Sequence, residues 1–280
     1  MTPQLALQSA PLQRIACAPG HMGFRRAGQA PQVSHVLLHG IGSASASWAY
    51  QLAASAPSTA VQVLAWDAPG YGESTPLAPA QPDADDYAQR LWAWLDALSV
   101  HAPVTLVGHS LGALMAARAA RQQPARVHRL VLLAPANGYG DAPAGERERV
   151  RQTRLDNLQR LGPQGMAQAR AAAMLTPDAR PDWIAAVRET MAQVHPAGYT
   201  QAVHLLADGC LSHDVRALPM PVAVASGDAD GVTPAAACDR VAEAAGVARI
   251  ALGPVGHACP LQAARAVNAL LDLPAWSESP

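Results

Sequence analysis

The stretch TLVGHSLGA, Thr105–Ala113, places one serine between two glycines directly after an apolar run. It is preceded by the strand-like VTLV and followed by LGALMAARAARQQ, a helical run, so the serine stands at a strand-to-helix junction. A GxSxG pattern in that context describes a tight elbow. The serine backbone there is strained, and side chains at the two glycine positions would collide with the strand or the helix. Such a turn aims Ser110 Oγ out of the sheet and leaves the Leu111 amide at a helix N-terminus, ready to hold an oxyanion.

Working outward, short and mostly continuous apolar runs predict strands at 33–38, 61–66, 104–107, 130–133, 221–225 and 248–252. Helical patterns lie between them. The clearest covers 83–98, with Asp83 as N-cap and Tyr87, Leu91, Trp94, Leu95 and Leu98 on one face. The alternation predicts an α/β fold with a mainly parallel sheet covered on both faces. It breaks between about 136 and 211, where ANGYGDAPAG reads as a linker and ERERVRQTRLDNLQR as an arginine-rich helix with a solvated face. Further helical segments follow at 166–175 and 181–194. This region reads as a helical insertion over the end of the sheet, because a structureless connection of that length is unusual.

Composition limits the function. The 280-residue chain is half hydrophobic and carries a net charge of -1, which gives no footprint for nucleic acid or a membrane surface. All 20 basic residues are arginine, so lysine Schiff-base chemistry and a P-loop lysine are excluded. Cys17, Cys210, Cys238 and Cys259 form no CxxC pair, so neither a zinc cluster nor a disulfide framework is expected and a reducing cytoplasm is the simplest setting. The N-terminus lacks the pattern of a secretory signal, and no apolar run is long enough for a bilayer.

A serine hydroxyl needs a base to take its proton, a group to orient that base, and donors for the developing oxyanion. LLHGIGSASASW, Leu37–Trp48, runs from a strand into glycines and can supply the Ile41 amide as a second donor beside Leu111. His257 in GPVGHACP follows the last expected strand and can reach over the sheet end. VAVASGDADGVTP offers Asp228 or Asp230 as the orienting acid. With either, the chain order is serine, acid, histidine.

HGIGS, DAPGYGES, GHSLGA, GDADGVTP and GPVGH, in that order, resemble the α/β-hydrolase superfamily over nearly the whole chain. The resemblance implies a core of 1–136 and 212–280 with a helical cap at 137–211, inserted after the sixth strand of the fold. It implies Ser110 as nucleophile, His257 as base, and Ile41 and Leu111 as the oxyanion hole. Its GxxDxxxP pattern, matched by Gly227, Asp230 and Pro234, selects Asp230. The resemblance also implies hydrolysis without metal or organic cofactor. HGIGS in place of HGxGPG, His109 before the serine and Ala258 after His257 depart from the carbon-carbon hydrolase branch, so a small ester or lactone is the expected substrate. Carbon-carbon cleavage and a ligand-binding protein with little turnover are the alternatives. Trp48, Tyr139, Trp183 and Tyr199 are candidate pocket residues, and Cys259 a bystander. Neither nucleic acid nor membrane is an expected partner; a homodimer is compatible with the sequence.

Overall fold

The computed structural model describes residues 1–276. Eight strands form one sheet: β1 (Leu12–Ala16), β2 (His21–Gly28), β3 (His35–Leu38), β4 (Gln62–Trp66), β5 (Val104–His109), β6 (Val127–Leu133), β7 (Val222–Ser226) and β8 (Arg249–Ala251). Their order is β1-β2-β4-β3-β5-β6-β7-β8. β1 and β2 form an antiparallel hairpin, β2 pairs antiparallel with β4, and every other pairing is parallel. The six expected strands are the six from β3 to β8. The hairpin is additional, and it adds the two strands that make the insertion follow the sixth.

Side chains alternate between two cores along each central strand, as period-2 geometry requires. Val36, Leu38, Leu64, Leu106 and Leu130 face one core, together with α3 (Ala84–Ala97), α4 (Gly112–Gln122) and α9 (Ala235–Ala244). Leu37, Val63, Val107, Val131 and Leu133 face the other, with α2 (Ala49–Ser55) and α11 (Ala264–Leu270). Short α1 (Pro3–Ala6) packs on α2, and α10 (Cys259–Gln262) follows the loop that carries His257. Asp83 caps α3 as expected, accepting from the amides of Asp85 and Asp86, while Asp86 accepts from the Asp83 amide.

Between β6 and β7 the chain is helical: α5 (Ala144–Arg170), α6 (Pro181–Ala192), α7 (Pro196–Asp208) and α8 (Leu211–Asp214). α5 is broken at Gly162, whose φ of 61° and ψ of 175° leave the helical region just before Pro163. The ends of the insertion are tied together, with the Leu211 amide donating to Asn137 O at 2.8 Å and Gly140 to Gly209 O at 2.8 Å. Gly198 at the start of α7 seats on Gly70: a Cβ there would meet the Gly70 Cα at 2.8 Å, so the two backbones touch. No described helix is long and apolar enough to cross a membrane.

Candidate active site

β5 ends at His109, α4 begins at Gly112, and Ser110 between them has φ of 53°, the left-handed region that a non-glycine residue enters at a cost. The turn is fixed from both sides. The Ser110 amide donates to Leu133 O at 3.0 Å, and the Ser110 carbonyl accepts from Ala136 at 3.2 Å. A Cβ on Gly108 would stand 2.6 Å from Ala113 Cα, so α4 can fold back over β5 only if that position is glycine.

Ser110, His257, Ile41 and Leu111 line one cavity of about 520 Å³, bounded by the C-terminal ends of the parallel strands and by the helical insertion. That volume suits a small molecule. No hydrogen bond among the described residues uses the amide of Ile41 or Leu111, and the second lies at the N-terminus of an 11-residue helix. The loop carrying Ile41 is held by His39, whose Nδ1 donates to Gly40 O at 2.8 Å while its Nε2 accepts from the Ala68 amide at 3.0 Å. Both imidazole nitrogens are committed, which fixes a neutral ring, and burial also lowers its pKa. The DAPGYGES segment thereby braces HGIGS; Asp67 adds a second tie by accepting from the Ser45 amide at 2.8 Å.

His257 Nδ1 donates to Asp230 Oδ2 at 2.8 Å. The remaining ring nitrogen, Nε2, is the one free for proton transfer. Asp230 is saturated with donors: Oδ1 accepts from the amides of Val232 at 2.7 Å and Thr233 at 2.9 Å, and Thr233 Oγ1 lies 2.8 Å from Oδ2. Burial alone would raise the Asp230 carboxyl. The hydrogen bond and charge of His257, with the Thr233 bonds, outweigh burial and hold it below the usual carboxylate range. Asp228 is elsewhere, paired with Arg249 at 3.1 Å. Ser110, Asp230 and His257 are all nearly buried, at 6%, 5% and 5% exposure. Ser110 Oγ itself makes no hydrogen bond among the described residues.

Two pocket assignments are corrected. Trp48 is fully buried in the core with Leu37, Leu52 and Val107, edge-on to His109, because the short turn after the HGIGS loop points it into the sheet. Trp183 packs against the face of α2, its Nε1 donating to Tyr50 Oη at 2.9 Å. Neither lines the cavity, whereas Tyr139 and Tyr199 do. The α5 arginines are only partly a solvated face, since Arg154 turns into the cavity. Sequence reading missed Thr233, although it stands inside the quoted GDADGVTP. It gave His109 no bracing part, yet the His109 Nε2 donates to the His257 carbonyl at 2.9 Å and so ties the loop that carries His257 to the elbow.

His109 carries a pH signature. Burial first, and then the neighbouring His257, push its pKa down to about 3 from an ordinary 6.5. Below pH 6.5 the unfolded chain takes up a proton that the folded one refuses, so stability falls as pH falls through that window. Between pH 7 and 5 native protein should lose about 2 kcal/mol more than His109→Gln in urea melts. Equal losses would sink the assignment.

Of the cysteines, Cys259 is fully buried with its thiol pushed up by burial, as suits a bystander. Asp141, Cys210 and His213 could hold a metal ion, since their donor atoms lie within 4.8 Å of one another; as they stand, Cys210 Sγ donates to Asp141 at 2.8 Å.

A family model described as "Alpha/beta hydrolase family" matches residues 36–270. The chain belongs to the α/β-hydrolase family. Among relatives, it is 29% identical over 248 residues to "Putative carbamate hydrolase RutD" of Klebsiella pneumoniae (strain 342), covering 84% of this chain and 88% of that one. Similar solved structures include a thermophilic esterase from Thermogutta terrifontis, with a TM-score of 0.81 and 21% identity over 94% of this chain and 97% of the esterase. The enol-lactonase from Burkholderia xenovorans LB400 gives 0.80 and 21% over 93% and 98%. At those identities the two structures speak for the α/β-hydrolase fold alone. What this α/β hydrolase acts on must come from its own site.

Proposed function

We propose that this protein is a serine hydrolase that cleaves a small carboxylic ester or lactone through an acyl-enzyme. The observation that carries the reading is a serine held at φ 53° on the wall of a cavity that it shares with two unused amides and a carboxylate-bound histidine. In this reading Ser110 Oγ attacks the carbonyl carbon while its proton passes to His257 Nε2. The oxygen gains the displaced electron pair and is held by the amides of Ile41 and Leu111. Collapse of the tetrahedral species expels the alkoxide, which takes the proton back from His257. Water then attacks the acyl-enzyme by the same route and frees Ser110. Asp230 keeps the imidazole in the tautomer with its proton on Nδ1. The helical insertion acts as a cap that keeps bulk water from the acyl-enzyme, and the reaction calls for no cofactor. The four unpaired cysteines fit a cytoplasmic setting. The name of one relative, "Putative carbamate hydrolase RutD", is that of an enzyme whose bond of attack lies at an acyl carbon, as an ester's does.

The test is turnover of p-nitrophenyl esters from acetate to laurate, with phenylmethylsulfonyl fluoride labelling followed by peptide mass analysis. Short to medium acyl chains should be cleaved, and one label per chain should fall on Ser110. Absence of turnover, or labelling elsewhere with Ser110 unmodified, would overturn the reading.

A further inference from the structure

The cavity over Ser110 does not end at the oxyanion loop. A second recess of about 390 Å³ adjoins it, and the two share Tyr139, Arg154, Met166, Arg170 and Tyr199 in their walls. The charge along this path is one-sided. The outer recess is lined by Arg149, Arg154, Arg160 and Arg170 and by no carboxylate. The inner cavity has one acid in its wall, Asp141, already engaged by the Cys210 thiol at 2.8 Å and by His213 at 3.3 Å.

The arginines of α5 divide by partner. Arg147 pairs with Asp208 at 3.6 Å, Arg149 with Glu146 at 3.9 Å, and Arg151 with Asp208 at 2.8 Å and with Glu148. Arg154 and Arg170 have neither an ion pair nor a hydrogen bond among the described residues. The chain has enough acid to pair them, with 21 carboxylate residues against 20 arginines. Their convergence is also built by the backbone. Sixteen residues apart on a straight helix, they would be separated by about 24 Å along its axis. The break at Gly162 and Pro163 folds the second half of α5 back, so both residues line the same two recesses.

A guanidinium cannot shed its charge, and its fork matches a carboxylate with two parallel hydrogen bonds. Arg154 is half-buried and lines the inner cavity together with Ile41 and Gly42. Arg154 thus shares a cavity wall with the loop that carries the Ile41 amide.

Resting on the hydrolase reading above, we infer that the substrate is an anion: an ester or lactone whose far end carries a carboxylate bound by Arg154, with Arg170 as the outer contact. The arginine-lined recess then serves as the entry, drawing anions toward Ser110.

Monoethyl esters of succinic, glutaric and adipic acid, each beside its neutral primary-amide isostere, test this in native protein and in Arg154→Met. For at least one length the anion should be preferred by about 10-fold or more in kcat/KM, a preference shrinking with added salt. The preference ratio should collapse toward unity in Arg154→Met and return in part in Arg154→Lys, with melting curves checking that both fold. Calorimetry with glutarate, which needs no turnover, should show binding to native protein that Arg154→Met weakens by about 10-fold or more. Equal hydrolysis of acid and amide at every length, or a preference that survives Arg154→Met, overturns the anion site while leaving the hydrolase reading standing. If no ester is cleaved, the hydrolase reading fails and glutarate binding alone decides: bound and Arg154-dependent, the anion site stands; unbound, it falls.

Discussion

Ser110→Ala is expected to fold like the native chain and to lower kcat for a p-nitrophenyl ester by about 10⁵- to 10⁶-fold. The methyl group of alanine fits where the serine Cβ already sits, and the left-handed strain at φ 53° is borne equally by either residue. Only the nucleophilic oxygen is removed. His257→Ala should cost a similar factor, because without a base within reach the hydroxyl keeps its proton at neutral pH. The two losses should not multiply. Ser110 and His257 act in one step, so the double variant should fall to about the level of either single one. What survives is the contribution of the Ile41 and Leu111 amides and of binding. Steady-state kcat on one substrate across the three variants measures this, and multiplicative losses would mean that the two residues do not work together.

Asp230→Asn belongs to the same set and should cost about 10⁴-fold. The asparagine carbonyl would keep the two bonds from the amides of Val232 and Thr233, which reach Asp230 Oδ1 at 2.7 and 2.9 Å. Its NH₂ would then take the place of Oδ2 against His257 Nδ1. A donor there favours the tautomer with the proton on Nε2, the nitrogen that must accept from Ser110. The geometry survives and the chemistry does not.

How much of this was legible in the sequence follows from how local each determinant is. The parallel strands β3 to β7 and helix α3 were readable because burial on both faces writes continuous apolar runs, and because Asp83 marks a helix start; β8 was readable as a short apolar run although it lies largely exposed at the sheet edge. The hairpin β1–β2 was not. Its residues, QRIACAPGHMGFRRAG, mix charges with small residues because β1 lies exposed at the sheet edge, so neither alternation nor an apolar run appears. Helix α7 was missed for another reason: it is buried on most sides, at Tyr199, Val203, Leu205 and Leu206, and shows no single apolar stripe. At the site, the residues whose motif fixes their place were readable. Of the pocket candidates Tyr139 and Tyr199 line the cavity but Trp48 and Trp183 do not, because whether a side chain such as Trp48 turns toward the cavity or the core depends on a turn that only the folded chain defines. Arg154 was hidden for the same reason, as one arginine among several on a charged helix.

Gly112→Ala should destabilise the fold by about 3 kcal/mol, a large cost for adding one carbon. A Cβ at this position would lie 2.7 Å from the His39 carbonyl oxygen and closer still to that of Leu38. Those atoms belong to β3 and the start of the oxyanion loop, and they cannot swing aside as a side-chain end could. Relief requires α4 to lift off the sheet, which breaks contacts of Leu114 and Ala113 in the core and shifts the Leu111 amide away from the cavity. Both stability and activity should therefore fall. Gly145→Ala is the matched control: it is also an early helical glycine, but nothing lies within 4 Å of the added carbon. There the change should be neutral or should stabilise by up to about 1 kcal/mol, since alanine loses less backbone entropy in a helix. Urea melts of the three proteins read the difference directly. If Gly112→Ala matched Gly145→Ala, the glycine after the serine would be there for conformational freedom alone. If it is the outlier, that glycine is the point at which β3, β5 and α4 close on one another, and the exposure of Ser110 follows from that contact.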